Sequence, residues 1–333
     1  MCQYSCNEGL ANEWHLVHLG TRAVGRAGLV IAEATAVTPE ARISPKDLGI
    51  WSDAHIEPLQ RAFSFIAQQG SVPGIQLAHA GRKASTSEPW KGGRPVGPED
   101  GGWCPIYAPS AIAFADSFQV PQALTVSQIS AVVQAFASAA QRAEAAGAKV
   151  VEIHSAHGYL LHSFLSPLSN QRNDEYGGTF ENRTRILREV VTSVRKVWPE
   201  KNPLFVRISA TDWTDGGWTI EDSIALAKIF KPLGVNVVDC SSGGVVPQVR
   251  IPVGPGYQVP FAQRIRCESE MPTGAVGMIT DPAQADQIIR TGQADLVFLA
   301  RQLLREPYWP LHAARTLGQE IQWPPQYERA KLK

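Results

Sequence analysis

The sequence predicts an α/β chain folded as a (β/α)8 barrel in a single domain, 1–333. Three observations predict it. Short β-branched apolar runs alternate with longer amphipathic runs that carry helix start and stop signals. Polar side chains gather where the short runs end, as they do on the active face of such a barrel. No Gly-x-Gly-x-x-Gly follows any short run, which argues against a resident dinucleotide-binding sheet.

Size and composition agree. A chain of 333 residues with 44% hydrophobic side chains can bury one large barrel core. A formal net charge of zero argues against nucleic acid or an anionic membrane as partner. No apolar run approaches the roughly twenty residues of a membrane span. The start, Met1-Cys2-Gln3-Tyr4, has no signal-peptide pattern, and the five cysteines form no C-x-x-C pair. Free thiols in a reducing cytoplasm are therefore expected.

The strands are read in order as Gly28–Thr35, Gly74–Ala80, Lys149–His154, Pro203–Ser209, Val235–Ser241, Pro272–Gly277 and Asp295–Ala300. Helices fall between them. Glu13–Arg26 precedes the first. Ser52 leads into Asp53–Gln69. Thr125-x-x-Gln128 is a capping box before an alanine-rich helix that stops at Gly147. Thr219 leads into Ile220–Leu233. Asp281-Pro282 places proline at a first helical position, and that helix runs to about Gly292. Seven strands are one short of a closed barrel, so the first is expected to be truncated or missing. The segment 81–121 holds six prolines and is read as a loop or hairpin capping the mouth after the third barrel strand.

The chemistry concentrates in Val150–Tyr159, V-V-E-I-H-S-A-H-G-Y. An apolar strand ends in His154, and His157 and Tyr159 follow in the turn. Two imidazoles and a phenol facing one volume suit polarising a carbonyl and protonating the adjacent carbon. Two other readings stand beside this one: a structural histidine pair, and a metal pair completed by Glu152.

The run H-S-A-H-G-Y-L-L-H-S-F-L-S-P-L-S-N-Q-R-N-D-E-Y-G-G-T-F-E-N-R, with I-Q-L-A-H-A-G-R-K-A and the opening M-C-Q-Y-S, resembles the Old Yellow Enzyme family of FMN-dependent ene-reductases. It looks like the bacterial thermophilic-like subgroup. The resemblance implies a TIM barrel, non-covalent FMN, and reduction of activated C=C bonds at the expense of NADPH or NADH. It implies that Gln76 and Arg207 hold the flavin, with Ala34, Met1 and Cys2 beside it and Gly277, Ala300 and Arg301 at its phosphate. His154 and His157 match the carbonyl-binding pair, Tyr159 the proton donor, and Tyr4 a substrate contact. The tail 324–333 matches one that reaches a neighbouring subunit, with Tyr327 and Arg329 acting in trans. A homodimer or homotetramer is then expected, acting on enones, enals and maleimides, with no metal.

Two departures stand out: no segment precedes M-C-Q-Y, and Ala300-Arg301 replaces the usual Gly-Arg. A dienoyl-CoA-reductase-like relative would need clustered cysteines and a nucleotide domain, which this sequence lacks. The rival activities are a metal-dependent barrel lyase or aldolase, and an inactive flavin-binding barrel.

Overall fold

The computed structural model describes residues 1–331; Leu332 and Lys333, which end the expected tail, lie outside the described residues. Seven parallel strands form one sheet in sequential order. They are β1 (Leu29–Ala36), β2 (Val72–Ala78), β5 (Val150–Ser155), β6 (Leu204–Ser209), β7 (Val237–Ser241), β8 (Thr273–Ala275) and β9 (Leu296–Val297). Strands β3 (Tyr107–Ala108) and β4 (Gln122–Ala123) make a separate small pair. Sequential order with helical crossovers is what a barrel wall requires. The seven strands match the number read from sequence. Among the described residues β9 and β1 form no ladder with each other.

The helices are α1 (Glu13–Val24), α2 (Ile56–Gln68), α3 (Val126–Ala145), α4 (Leu160–Leu165), α5 (Phe180–Val197), α6 (Ile220–Phe230), α7 (Val259–Ser269), α8 (Pro282–Arg290), α9 (Arg301–Arg305) and α10 (Trp309–Thr316). The local signals act as read. Thr125 Oγ1 accepts from Gln128 N–H, Thr219 accepts from Asp222 N–H, and Asp281 accepts from Ala283 and Gln284. Several boundaries differ from the sequence reading. The helix expected from Asp53 opens with a 3-10 turn, Asp53–His55. Helix α6 tightens into a 3-10 turn at Lys231–Leu233, where Pro232 offers no N–H for the α-helical ladder. Strands β8 and β9 are shorter than read. Gly277 turns to φ +127 and Ala300 leaves the extended region at φ −111, ψ −84.

Strand alternation sorts the side chains. Val151, Ile153, Leu204, Val206, Ile208 and Val238 join the core between sheet and helices. Their alternates face the barrel interior. At its N-terminal end Val150, Phe205 and Val237 pack with Leu29, Ile31, Leu296 and Phe298 into an apolar plug. One layer up, the interior turns polar.

The segment 81–121 is mostly irregular, with a Thr86↔Pro95 antiparallel bridge as its hairpin element. Arg82 donates to Val245 O at 2.5 Å, and Lys83 donates to His157 O at 2.9 Å and Gly244 O at 3.2 Å. The insertion is thereby tied to the loops after β5 and β7.

Candidate active site

Three registered pairs of inward strand positions frame the cavity. In register, Gln76 lies beside Glu152, His154 beside Arg207, and Arg207 beside Asp239. Parallel neighbours in register point the same way, so β2, β5, β6 and β7 present these groups to one volume.

His154 is 4% exposed. Its Nδ1 accepts from Ala156 N–H at 3.2 Å, which leaves the ring hydrogen on Nε2. His157 adopts a left-handed backbone at φ 60 and is followed by Gly158 at φ 74. This turn is where residues three apart converge. A side chain at Gly158 would place Cβ 2.1 Å from Gly244 O, so glycine is required for the close approach. The His157 N–H donates to Ser209 Oγ at 2.9 Å, and its Nε2 lies 2.6 Å from Ser241 Oγ. Ring centroids stand 5.1 Å apart for His154–His157, 5.0 Å for His154–Tyr159 and 6.5 Å for His157–Tyr159, all near perpendicular.

Burial, then the Arg207 charge, holds both imidazoles well below their ordinary range, so both are neutral. Burial, with a smaller contribution from Cys2, pushes the Tyr159 phenol well above its ordinary value, so it keeps its proton. Lys83 Nζ lies 5.4 Å from the Tyr159 ring and is pushed down to about 8 by burial and then by Arg82.

The N-terminal residues come to the same mouth. Glu33 sits at a bulge in β1, between Ala32 and Ala34, and accepts Gln3 N–H at 2.8 Å. Burial pushes its carboxyl up to about 7. Tyr4 packs edge-on to Trp90 of the capping segment at 5.7 Å. The Cys2 thiol is pushed well up by burial and then by Asp47, and its charge would act on both Tyr4 and Tyr159. Ala34 is buried beside this bulge; Met1 is exposed.

Below the histidines lies a buried polar layer. Gln76 Nε2 donates to Glu152 Oε1 at 2.6 Å, and Arg207 Nε stands 3.2 Å from Asp239 Oδ2. Glu152 Oε2, Asp239 Oδ1 and Arg207 Nε are buried without a well-formed hydrogen bond. Glu152 thus joins Gln76 and Asp239, not the histidines, and the alternative reading of a metal pair loses its third ligand. No group of three or more His, Cys, Asp or Glu suited to a metal occurs among the described residues.

Gly277, at φ +127, leaves space that a Cβ would fill 2.9 Å from Gln258 Nε2. Ala300 keeps a negative φ, so alanine sits there without strain, and Arg301 opens α9 exposed to solvent. The tail stands apart. Tyr327 packs on Tyr308 at 6.0 Å, Lys331 pairs with Glu320 at 2.7 Å, and Arg329 is exposed on the turn Pro325–Ala330. These contacts do not bring the tail to the mouth of its own subunit.

This donor set fits a flavin. Gln76 offers an amide that donates and accepts, Arg207 a half-buried cation, and Gly277 and Ala300 backbone groups. Sequence reasoning gave no role to Lys83, Asp239 or Ser241, and none to Glu33 beyond a polar strand end. The available signal was a charge inside an apolar run, as with Glu33 in L-V-I-A-E-A-T and Asp239 in V-N-V-V-D-C-S.

Fold and site define a barrel oxidoreductase built around an electron-carrying heterocycle. The chain matches the NADH:flavin oxidoreductase / NADH oxidase family over residues 1–320, and it belongs to that family. It is an FMN-dependent NAD(P)H oxidoreductase of the Old Yellow Enzyme type. The NADPH dehydrogenase of Geobacillus sp. (strain WCH70) is 51% identical over 331 residues, 99% of this chain and 92% of that protein. That of Bacillus subtilis (strain 168) is 50% identical over 331 residues, with the same coverage. Among solved structures, morphinone reductase in complex with tetrahydroNAD superposes with a TM-score of 0.78 at 25% identity, covering 98% of this chain and 87% of that one. An Old Yellow Enzyme homologue from Zymomonas mobilis superposes at 0.76 with 24% identity, covering 96% and 87%, a likeness of fold. No helix among the described residues is long and apolar enough to cross a membrane.

Proposed function

We propose that the enzyme is an ene-reductase that adds hydrogen across a C=C bond conjugated to a carbonyl, in enones, enals and maleimides. The observation that carries this reading is the three-ring cluster: two neutral imidazoles and a protonated phenol within 6.5 Å of one another, centroid to centroid. FMN, when bound, supplies the hydride, taken from NADPH or NADH and delivered to the β-carbon.

The protein supplies the rest. Gln76 and Arg207 hold the flavin ring, with Ala34, Met1 and Cys2 beside it. Gly277, Ala300 and Arg301 hold its phosphate through backbone N–H groups and a guanidinium. His154 donates from Nε2 to the substrate carbonyl oxygen, and His157 donates once its ring exchanges Ser241 for substrate. Both orient the alkene and draw charge toward oxygen. Tyr159 gives its proton to the α-carbon. Phe114, 4.4 Å from Lys83 Nζ, and the Tyr4–Trp90 pair narrow access to water.

The same reading makes the enzyme a homodimer or homotetramer, with Tyr327 and Arg329 completing a neighbour's mouth. It also places the enzyme in the cytoplasm, a compartment that suits five unpaired cysteines. Anaerobic stopped-flow tests the activity. NADPH should bleach the bound flavin and 2-cyclohexenone should restore its colour. Bleaching by NADPH without recolouring by any conjugated carbonyl would overturn the substrate class. Mixing Arg329→Ala with Tyr159→Phe subunits should recover activity, and no recovery after demonstrated exchange would overturn the shared site.

A further inference from the structure

Beneath the site, Glu152 and Asp239 place two carboxyl groups in one buried layer. Both residues are about 1% exposed. The groups that face Glu152 come from three strands: Gln76 from β2, Arg207 from β6 and Asp239 from β7. The plug below is apolar. Glu152 Oε1 is taken by Gln76, Asp239 Oδ2 lies against Arg207, and one oxygen of each carboxyl is left over. Two carboxylates confined together cannot both ionise cheaply. A proton held between the two spare oxygens satisfies both at once.

We propose that Glu152 and Asp239 share one proton and act together as an adjustable counter-ion to Arg207, setting the positive charge presented to the flavin. Neither is a catalytic residue; both act through Arg207 as positioning residues. The inference rests on the FMN site assigned to Gln76 and Arg207.

With the proton in place, the pair carries one negative charge and Arg207 one positive, and the layer is neutral. When Glu152 gives its proton to solvent, the pair carries two negative charges and the layer turns negative. An electron-rich flavin is then disfavoured. Burial, and then the Asp239 charge, pushes Glu152 up to about 8, so the change falls just above neutral pH. Asp239 is also pushed up by burial, while Arg207 opposes the shift.

The test is the midpoint potential of FMN in the holoenzyme against pH, for the parent, Glu152→Gln and Asp239→Asn. Infrared difference spectra of the same proteins report the C=O stretch of a protonated carboxyl. In the parent, the potential should fall more steeply with pH near 8 than on either side, and the carboxyl band should vanish over the same interval. Glu152→Gln keeps an acceptor for Gln76, so FMN affinity should stay within about threefold of the parent. It should lose both the bend and the band. Asp239→Asn removes the like charge that holds the proton on Glu152, so its bend should move to lower pH.

A bend retained in Glu152→Gln, with FMN still bound, would overturn the counter-ion role. A carboxyl band insensitive to Glu152→Gln would overturn the shared proton. A parent protein that binds no FMN would overturn the FMN site itself, and the infrared band would still decide whether the proton is shared.

Discussion

The two sides of the sheet present different kinds of group. In the seven-stranded sheet β1, β2, β5, β6 and β7 are five to eight residues long, and the groups they offer are side chains on rigid backbone: Gln76, His154 and Arg207. Strands β8 and β9 have three and two residues and end early, at Ala275 and Val297, ahead of Gly277 and Ala300. What they offer is backbone. A long, doubly buried strand fixes a side chain's direction closely enough for proton and hydride chemistry. A short strand that breaks off exposes N–H groups, which suits an anion whose exact orientation matters less.

That contrast is tested by substitutions that should act on rate on one side and on flavin retention on the other. The largest effect is expected from Tyr159→Phe. Losing the phenolic proton should slow enone reduction by about 10²–10⁴-fold while flavin reduction by NADPH stays at the parent rate. Stopped-flow resolves the two half-reactions, and a loss confined to the NADPH half would break the assignment.

Next are His154→Ala and His157→Ala. Each removes a donor to a charged oxygen, worth roughly 1.5–3 kcal/mol. Titration with p-hydroxybenzaldehyde, read at long wavelength, should show about ten- to hundredfold weaker binding with flavin retained.

A pair of glycine substitutions sharpens the comparison. Gly158→Ala sets Cβ 2.1 Å from the backbone oxygen of Gly244, whereas Gly277→Ala meets a side-chain amide, that of Gln258, at 2.9 Å. Both replace glycine at positive φ, which costs about 1–3 kcal/mol. Gly158→Ala should fall at or above the top of that range in urea unfolding. Gly277→Ala should fall lower and show itself chiefly as faster loss of FMN on dilution.

The smallest effect is an absence of titration. An exposed imidazole ionises near 6.5, but burial keeps His154 and His157 neutral to well below that. Their neutral form is therefore present throughout the neutral range and gives way to the imidazolium only in acid. The rate constant for enone reduction should be level from about pH 6 to 7.5. An inflection near 6.5 that disappears in His157→Ala would show that imidazole to be solvated.

Much of this was legible locally. The capping box at Thr125 depends on residues three apart and acts wherever the chain goes. The H-x-x-H-x-Y cluster was legible because a left-handed turn at His157-Gly158 brings its members together without help from distant sequence. The ends of β8 and β9 were not, since apolar runs continue past them and only backbone geometry stops the ladder.

The sequence by itself determined the alternation of strand and helix, the inward face of each strand, and the chemistry of the strand ends. These depend on period and on residue type within a few positions. Only the tertiary structure decided who stands across from whom. Glu152 was open to a metal reading until the register with β2 and the reach of β7 put Gln76 and Asp239 around it. Lys83 had no role until it met His157 O and Gly244 O, 74 and 161 residues away. Those pairings follow from the relative register of seven strands, which is settled by packing the whole core and is not written in any one stretch of the chain.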